Sequence, residues 1–255
     1  ADNARAPYGA RSFDVIHEFT LEAVEWLFNE GCTLVVLACN TASARALRTI
    51  QQRHLPAHRP DRRVLGVVRP SVEALAGLPP GALPGITRPS LAEGTVAVLA
   101  TEGTVASDSF GIELRKLAPR LQLIQHACPL WVPLVEAGET EGAGADWFLH
   151  RYLDPVLAAP QPPQRILLGC THYPILLPGI RRIVPAPIEV LTQGEIVATR
   201  LADWLARHPE HETRLSSGSA CRIHTTDDPA WFAGLSARFL GAQMDVGRAR
   251  LRPVC

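Results

Sequence analysis

The chain is short of several things, and each shortage excludes something. No apolar run in its 255 residues approaches the roughly 20 residues that a membrane-spanning helix needs. Excess charge is missing too: 25 Lys+Arg balance 25 Asp+Glu, so nothing in the overall charge points to nucleic acid or an anionic membrane as a partner. Lysine is nearly absent. Lys116 stands alone among arginines, a bias of base composition rather than of function. The six cysteines, Cys32, Cys39, Cys128, Cys170, Cys221 and Cys255, form no C-x-x-C pair and no zinc-type spacing, and no secretory leader is visible. Reduced thiols in the cytoplasm are the expectation. No glycine-rich phosphate loop occurs, so no nucleotide, pyridoxal phosphate or other cofactor is implied.

What is present is organised around two short stretches. The apolar run 33–38 stops at Cys39-Asn40-Thr41-Ala42-Ser43, and a helical pattern follows over 44–52. Far downstream, Arg165-Ile166-Leu167-Leu168-Gly169 runs into Cys170-Thr171-His172-Tyr173-Pro174, with a helical pattern from Ile175. Each half of the chain thus offers one cysteine at the carboxyl end of a strand. Asn40 and Thr41 read as helix caps, and backbone N–H groups at a helix start favour a thiolate.

The pattern predicts a helix over 13–29 behind Ser12, a strand over 63–68, a helix opening at Pro70, and a Gly/Pro-rich connection over 77–93. Strand–helix alternation restarts beyond it: strands over 95–100 and 121–125, helices over 105–117, 130–137 and 145–157. A strand over 188–191, a helix over 195–207, a strand over 222–225, a helix after Asp228-Pro229 and an edge strand within 244–251 complete the chain. Such alternation gives parallel sheets covered by helices, with ligands beyond the carboxyl ends of the strands. The loop-like start at Ala1, without a methionine, suggests residues upstream.

Three chemistries compete for Cys39. A buried thiol that packs as a small hydrophobe is the ordinary case, and serves for Cys32, Cys128, Cys221 and Cys255. Cys39 and Arg45 are spaced C-x5-R, as in phosphate-cradling cysteine enzymes, but no glycine lies between them and Cys170 would be idle. Two thiols on opposite faces of one carbon could instead act as acid and base, one taking a proton and the other returning one. Thiol pKa values lie close enough to neutrality for that work.

At these residues the chain resembles a known family. Ala38-Cys39-Asn40-Thr41-Ala42 and Gly169-Cys170-Thr171-His172-Tyr173-Pro174 look like the two signatures of glutamate racemase, in the aspartate/glutamate racemase superfamily. Arg5-Ala6-Pro7-Tyr8-Gly9, Ala100-Thr101-Glu102-Gly103-Thr104, Cys128-Pro129 with Val135-Glu136, and His224-Thr225-Thr226-Asp227 resemble further segments of the family in its order. The resemblance implies an α/β fold of two doubly wound parallel-sheet domains related by a pseudo-twofold, with the active site in the cleft between them. Residues 1–90 plus 193–255 would form one domain and 91–192 the other. It implies cofactor-independent racemisation of glutamate for peptidoglycan, with Cys39 and Cys170 catalytic. His172 would assist the second thiol, and Glu136 would be an acidic group near it. Tyr8, Gly9, Asn40, Thr41, Thr101, Thr104 and Thr171 would contact the substrate. A small-molecule partner follows, and a homodimer is compatible with the family.

The family's opening Asp-Ser-Gly-x-Gly-Gly element would lie upstream of Ala1. Thr192-Gln193 stands where members often have Asp-Ser, and Arg69 where they often have Glu. Action on aspartate, or a non-catalytic amino-acid-binding or regulatory role, remain the alternative readings. His208 and His211 are expected in a solvated loop rather than at a metal, and residues 58–63 in another.

Overall fold

The strand Gly94–Ala100 organises the fold, because its residues 96–100 are all fully buried without alternation. A strand with that profile is covered on both faces. In this computed structural model, which describes residues 1–91, 93–216, 218, 221–242 and 244–254, every strand pairing is parallel. Cys255 lies outside the described residues. In chain order the strands are β1 Leu34–Leu37, β2 Arg63–Gly66, β3 Gly94–Ala100, β4 Leu121–Ala127, β5 Arg165–Gly169, β6 Glu189–Thr192, β7 Ile223–Thr225 and β8 Val246–Arg248. One sheet has the order β4-β3-β5-β6, and β1 with β2 and β7 with β8 form separate pairs.

The period of two along β3 sends alternate side chains into two cores. Ala97 and Leu99 join Ile166, Leu168, Trp131, Leu149 and Tyr173 on one face. Val96, Val98 and Ala100 join Leu167, Val72, Leu75, Phe110 and Leu114 on the other. The helix Phe13–Asn29 buries Ile16, Thr20, Val24 and Phe28, four residues apart along one stripe. It stops where Gly31 takes φ +95° and the Cys32 N–H returns to the Leu27 carbonyl.

Several local expectations shift. The helix after Cys39 opens at Asn40, not Ala44, and Cys39 itself is its cap, so Asn40 and Thr41 lie in the first turn. The helix expected over 105–117 is broken into Glu102–Ala106 and Ser109–Leu117 by Asp108, whose left-handed φ of 50° an aspartate tolerates. Tyr173–Leu176 is a 3-10 turn before the helix Leu177–Ile183. His208 and His211 do not sit in a solvated loop. His211 is 5% exposed, and both rings stack on Trp204. The stretch 58–63 is a largely exposed connection as expected, held at two points, Arg59 to Glu25 and Arg62 to the Cys32 carbonyl. Asp228 caps the helix Pro229–Leu240 by accepting the Trp231 N–H, as its sequence suggested. Among the described residues no helix is long and apolar enough to cross a membrane.

Candidate active site

The strand registers carry both cysteines to one place. Ala100 pairs with Gly169, so Thr101 and Cys170 leave β3 and β5 side by side. Cys39 leaves β1 two residues past Leu37, which pairs with Gly66. The cavity between them holds about 760 Å³, and Cys39 and Cys170 both line it. Tyr8, Gly9, Asn40, Thr41, Thr101, Glu136, Thr171 and His172 line it as well. Thr104, expected as a substrate contact, is fully buried and stands behind the wall. Its hydroxyl lies 3.3 Å from that of Thr41 and 3.1 Å from that of Thr101, so it holds the two threonines that do reach the cavity.

The two thiols are furnished differently. Burial pushes the Cys39 thiol up, against the Ala42 and Thr41 N–H groups and the Thr41 hydroxyl, which pull it down. Burial likewise pushes Cys170 up to about 12; the Cys39 charge adds to this, and the His172 and Thr171 N–H groups oppose it. The helix start does not win over burial, so the cavity holds both sulfurs as thiols at neutral pH. Among the described residues, Cys170 and not Cys39 has an imidazole partner: His172 Nδ1 lies 3.9 Å from its Sγ, and Nε2 lies 3.0 Å from Glu136 Oε1. The Phe239 ring meets the imidazole edge-on. Cys170, His172 and Glu136 thus form a line along which a proton can be passed or held.

Arg45 does not turn toward Cys39. Its guanidinium donates to the Gly103 carbonyl at 3.0 Å and the Arg11 carbonyl at 3.3 Å, which removes the phosphate-cradle reading. Asp2 is a residue that sequence reasoning missed. It accepts the Tyr8 hydroxyl proton, the Arg5 guanidinium and the Thr226 hydroxyl, tying the first residues to the segment just beyond β7 across more than 200 positions. Burial and the Asp2 carboxylate hold the Tyr8 phenol well above its ordinary range. Among the described residues lining the cavity there are three carboxylates, Asp2, Glu102 and Glu136, and no lysine or arginine. No group of three or more His, Cys, Asp or Glu among the described residues is placed to hold a metal ion.

Gly103 fixes the roof. Its N–H donates to the Gly9 carbonyl at 2.8 Å, and a Cβ at 103 would stand 2.6 Å from that same oxygen. Gly103→Ala is therefore expected to displace the segment bearing Tyr8 and Gly9 and to lower kcat/KM about 100-fold, the scale of an ångström of misplacement. Gly144→Ala, where nothing lies within 4 Å, serves as the neutral control.

Burial also sets a stability expectation. Cys128, fully buried, has its thiol pushed well up by burial and by Cys170. An unfolded thiol ionises near pH 8.5, roughly, whereas the folded ones stay protonated, so the native state then binds more protons than the unfolded one. Stability is complete below that pH and falls above it, by about 1.4 kcal/mol per pH unit for each such thiol. Thermal melts from pH 8 to 11 should show the decline, and Cys128→Ala should make it shallower. An unchanged slope would mean that Cys128 titrates as a free thiol in the fold.

The chain is 39% identical to a protein of Ruegeria pomeroyi named glutamate racemase, over 98% of this chain and 88% of that one. A protein of Paracoccus denitrificans with the same name is 38% identical over 94% of this chain and 85% of its own length. Among solved structures, the glutamate racemase of Bacillus anthracis superposes with a TM-score of 0.83 at 28% identity, over 98% of this chain and 86% of that one. No family model matches the chain.

Proposed function

The chain belongs to the glutamate racemase family, and from that premise we propose that it interconverts L- and D-glutamate by two-base proton transfer between Cys39 and Cys170, without a cofactor. The observation that carries this reading is the placement of the two strand-end thiols on one cavity, one backed by a histidine and the other not. The D-enantiomer would supply peptidoglycan synthesis in the cytoplasm, where thiols stay reduced. Residues 1–90 plus 193–255 would form one side of the cleft and 91–192 the other.

In this mechanism one sulfur is thiolate and takes the α-proton while the other, still a thiol, delivers a proton to the opposite face. Reversal exchanges the two states, so atoms and charges balance in both directions. The raised thiol pKa values mean that an ionised sulfur has to be favoured by what binds. The substrate ammonium, brought close to a buried sulfur, lowers the cost of ionising it. Neutral donors, the Asn40 amide and the Thr41, Thr101 and Thr171 hydroxyls, are available for the carboxylates. His172, bridged to Glu136, can take up and return the proton of Cys170.

The test is optical. L-Glutamate incubated with the protein and no added cofactor should lose its circular dichroism signal completely, with L-aspartate unchanged. Loss with aspartate alone would move the substrate and keep the chemistry. No loss with either, in folded protein with reduced thiols, would sink the reading.

A further inference from the structure

Asn40 follows Cys39 directly and lines the cavity, yet it is only 3% exposed, and its amide is locked by a group with no assigned part in the reaction. Gln193, the first residue of the helix Gln193–Arg207, faces it across 153 positions of sequence. Asn40 Nδ2 donates to Gln193 Oε1 at 2.6 Å, and Gln193 Nε2 donates to Asn40 Oδ1 at 3.0 Å. The second Gln193 N–H goes to Ser71 Oγ at 2.6 Å. All three side chains are buried.

The direction of these bonds is forced rather than chosen. Ser71 has one hydroxyl proton, and it is donated to the Val67 carbonyl at 2.6 Å. Ser71 Oγ can then only accept from Gln193, which puts the Gln193 nitrogen on that side. With Nε2 engaged twice, Gln193 Oε1 must accept, and what it accepts is an Asn40 N–H. A flipped Asn40 amide would set oxygen against oxygen and nitrogen against nitrogen in a buried site, a costly arrangement. The chain Val67–Ser71–Gln193 therefore fixes which end of the Asn40 amide is the donor. Asn40 keeps one N–H beyond the pair, for the cavity that it lines.

We propose that Gln193 is a positioning residue: through Ser71 it locks the Asn40 amide with one N–H presented to a substrate carboxylate. The inference rests on the racemase reading, which supplies the substrate. Gln193 meets no substrate; its effect passes through Asn40. A buried glutamine at the start of this helix would thus hold the residue beside the first thiol.

The experiment is a double-mutant cycle on the full chain with glutamate in both directions. Gln193→Ala should raise KM about tenfold and change kcat less than about threefold, the scale of one oriented hydrogen bond to a charged group. Asn40→Ala should raise KM similarly, and the double variant should be no worse than Asn40→Ala alone. Multiplying effects, or an unchanged KM in Gln193→Ala, would overturn the proposal. Gln193→Glu keeps the shape should the alanine variant fold poorly. The introduced carboxylate, when ionised, cannot donate to Asn40 or Ser71, whereas its protonated form restores a donor. The KM of Gln193→Glu relative to wild type should therefore fall as pH is lowered from 8.5 to 6.5; a flat ratio would also overturn the proposal. A wild-type protein that neither turns over nor binds D-glutamate by calorimetry would take down the racemase reading and this inference together.

Discussion

Cys170→Ala is expected to abolish racemisation, with kcat lowered by about 10⁴-fold or more, because a general acid and base alone contributes up to about that factor. The variant should nevertheless keep half of the chemistry. Cys39 can still remove the α-proton from one enantiomer and return one to the same face, so in D₂O that enantiomer should gain deuterium without inverting. Cys39→Ala should do the same for the other enantiomer. Mass spectrometry of each enantiomer after incubation reads both results. Exchange by both variants of the same enantiomer would place the two thiols on one face and end the two-base mechanism. Full racemisation by either variant would do so at once. Because Cys170 is buried among Ile166, Leu168, Trp131 and Tyr173, the loss of one sulfur atom should leave the fold standing.

His172→Leu comes second in size. It removes the imidazole that stands against Cys170 and leaves the Glu136 carboxylate without that partner, so kcat should fall about 100- to 1,000-fold. The loss should be confined to the step that Cys170 performs. The enantiomer handled by Cys39 should go on exchanging its α-proton with solvent faster than it inverts, a mismatch absent in wild type. Glu136→Gln acts one bond further out and should cost about tenfold, since glutamine can still orient the ring but cannot hold its positive charge. Equal losses for the two variants would place Glu136, rather than His172, at the proton.

The place of each cysteine was readable because each follows a strongly apolar strand, where one-dimensional pattern and three-dimensional place coincide, whereas the burial that keeps both sulfurs protonated was not. The helix Phe13–Asn29 could be read end to end, because its buried stripe and its glycine stop are both local signals. Asp108 was not, since only its ties to Arg115 and Gln125, from the next helix and β4, give an aspartate reason to break a helix there. The Asn40–Gln193 pair has no spacing to betray it, because its partners meet only when segments 153 positions apart come together. The Asp2–Tyr8 contact is local in sequence, but it depends on how an irregular opening loop folds, which no periodic pattern reports. Thr104 shows how a motif and packing can differ: the motif suggests a substrate contact, and packing sets its hydroxyl one layer behind the cavity wall, against that of Thr101.

The lack of lysine and arginine among the described residues of the cavity wall has a thermodynamic meaning for a reaction of this kind. Mirror-image amino acids have equal free energy, so the equilibrium constant is unity and the Haldane relation makes kcat/KM the same in both directions. A guanidinium clamp on a carboxylate would grip both enantiomers and the planar species between them alike. Such even-handed affinity lowers KM without raising kcat, and slows the departure of whichever hand is made. A wall whose described residues offer hydroxyls, amides, an imidazole and three carboxylates, and no guanidinium, would avoid that even-handed grip. On the proposed racemase reading, such a site would favour throughput when substrate is plentiful over capture when it is scarce.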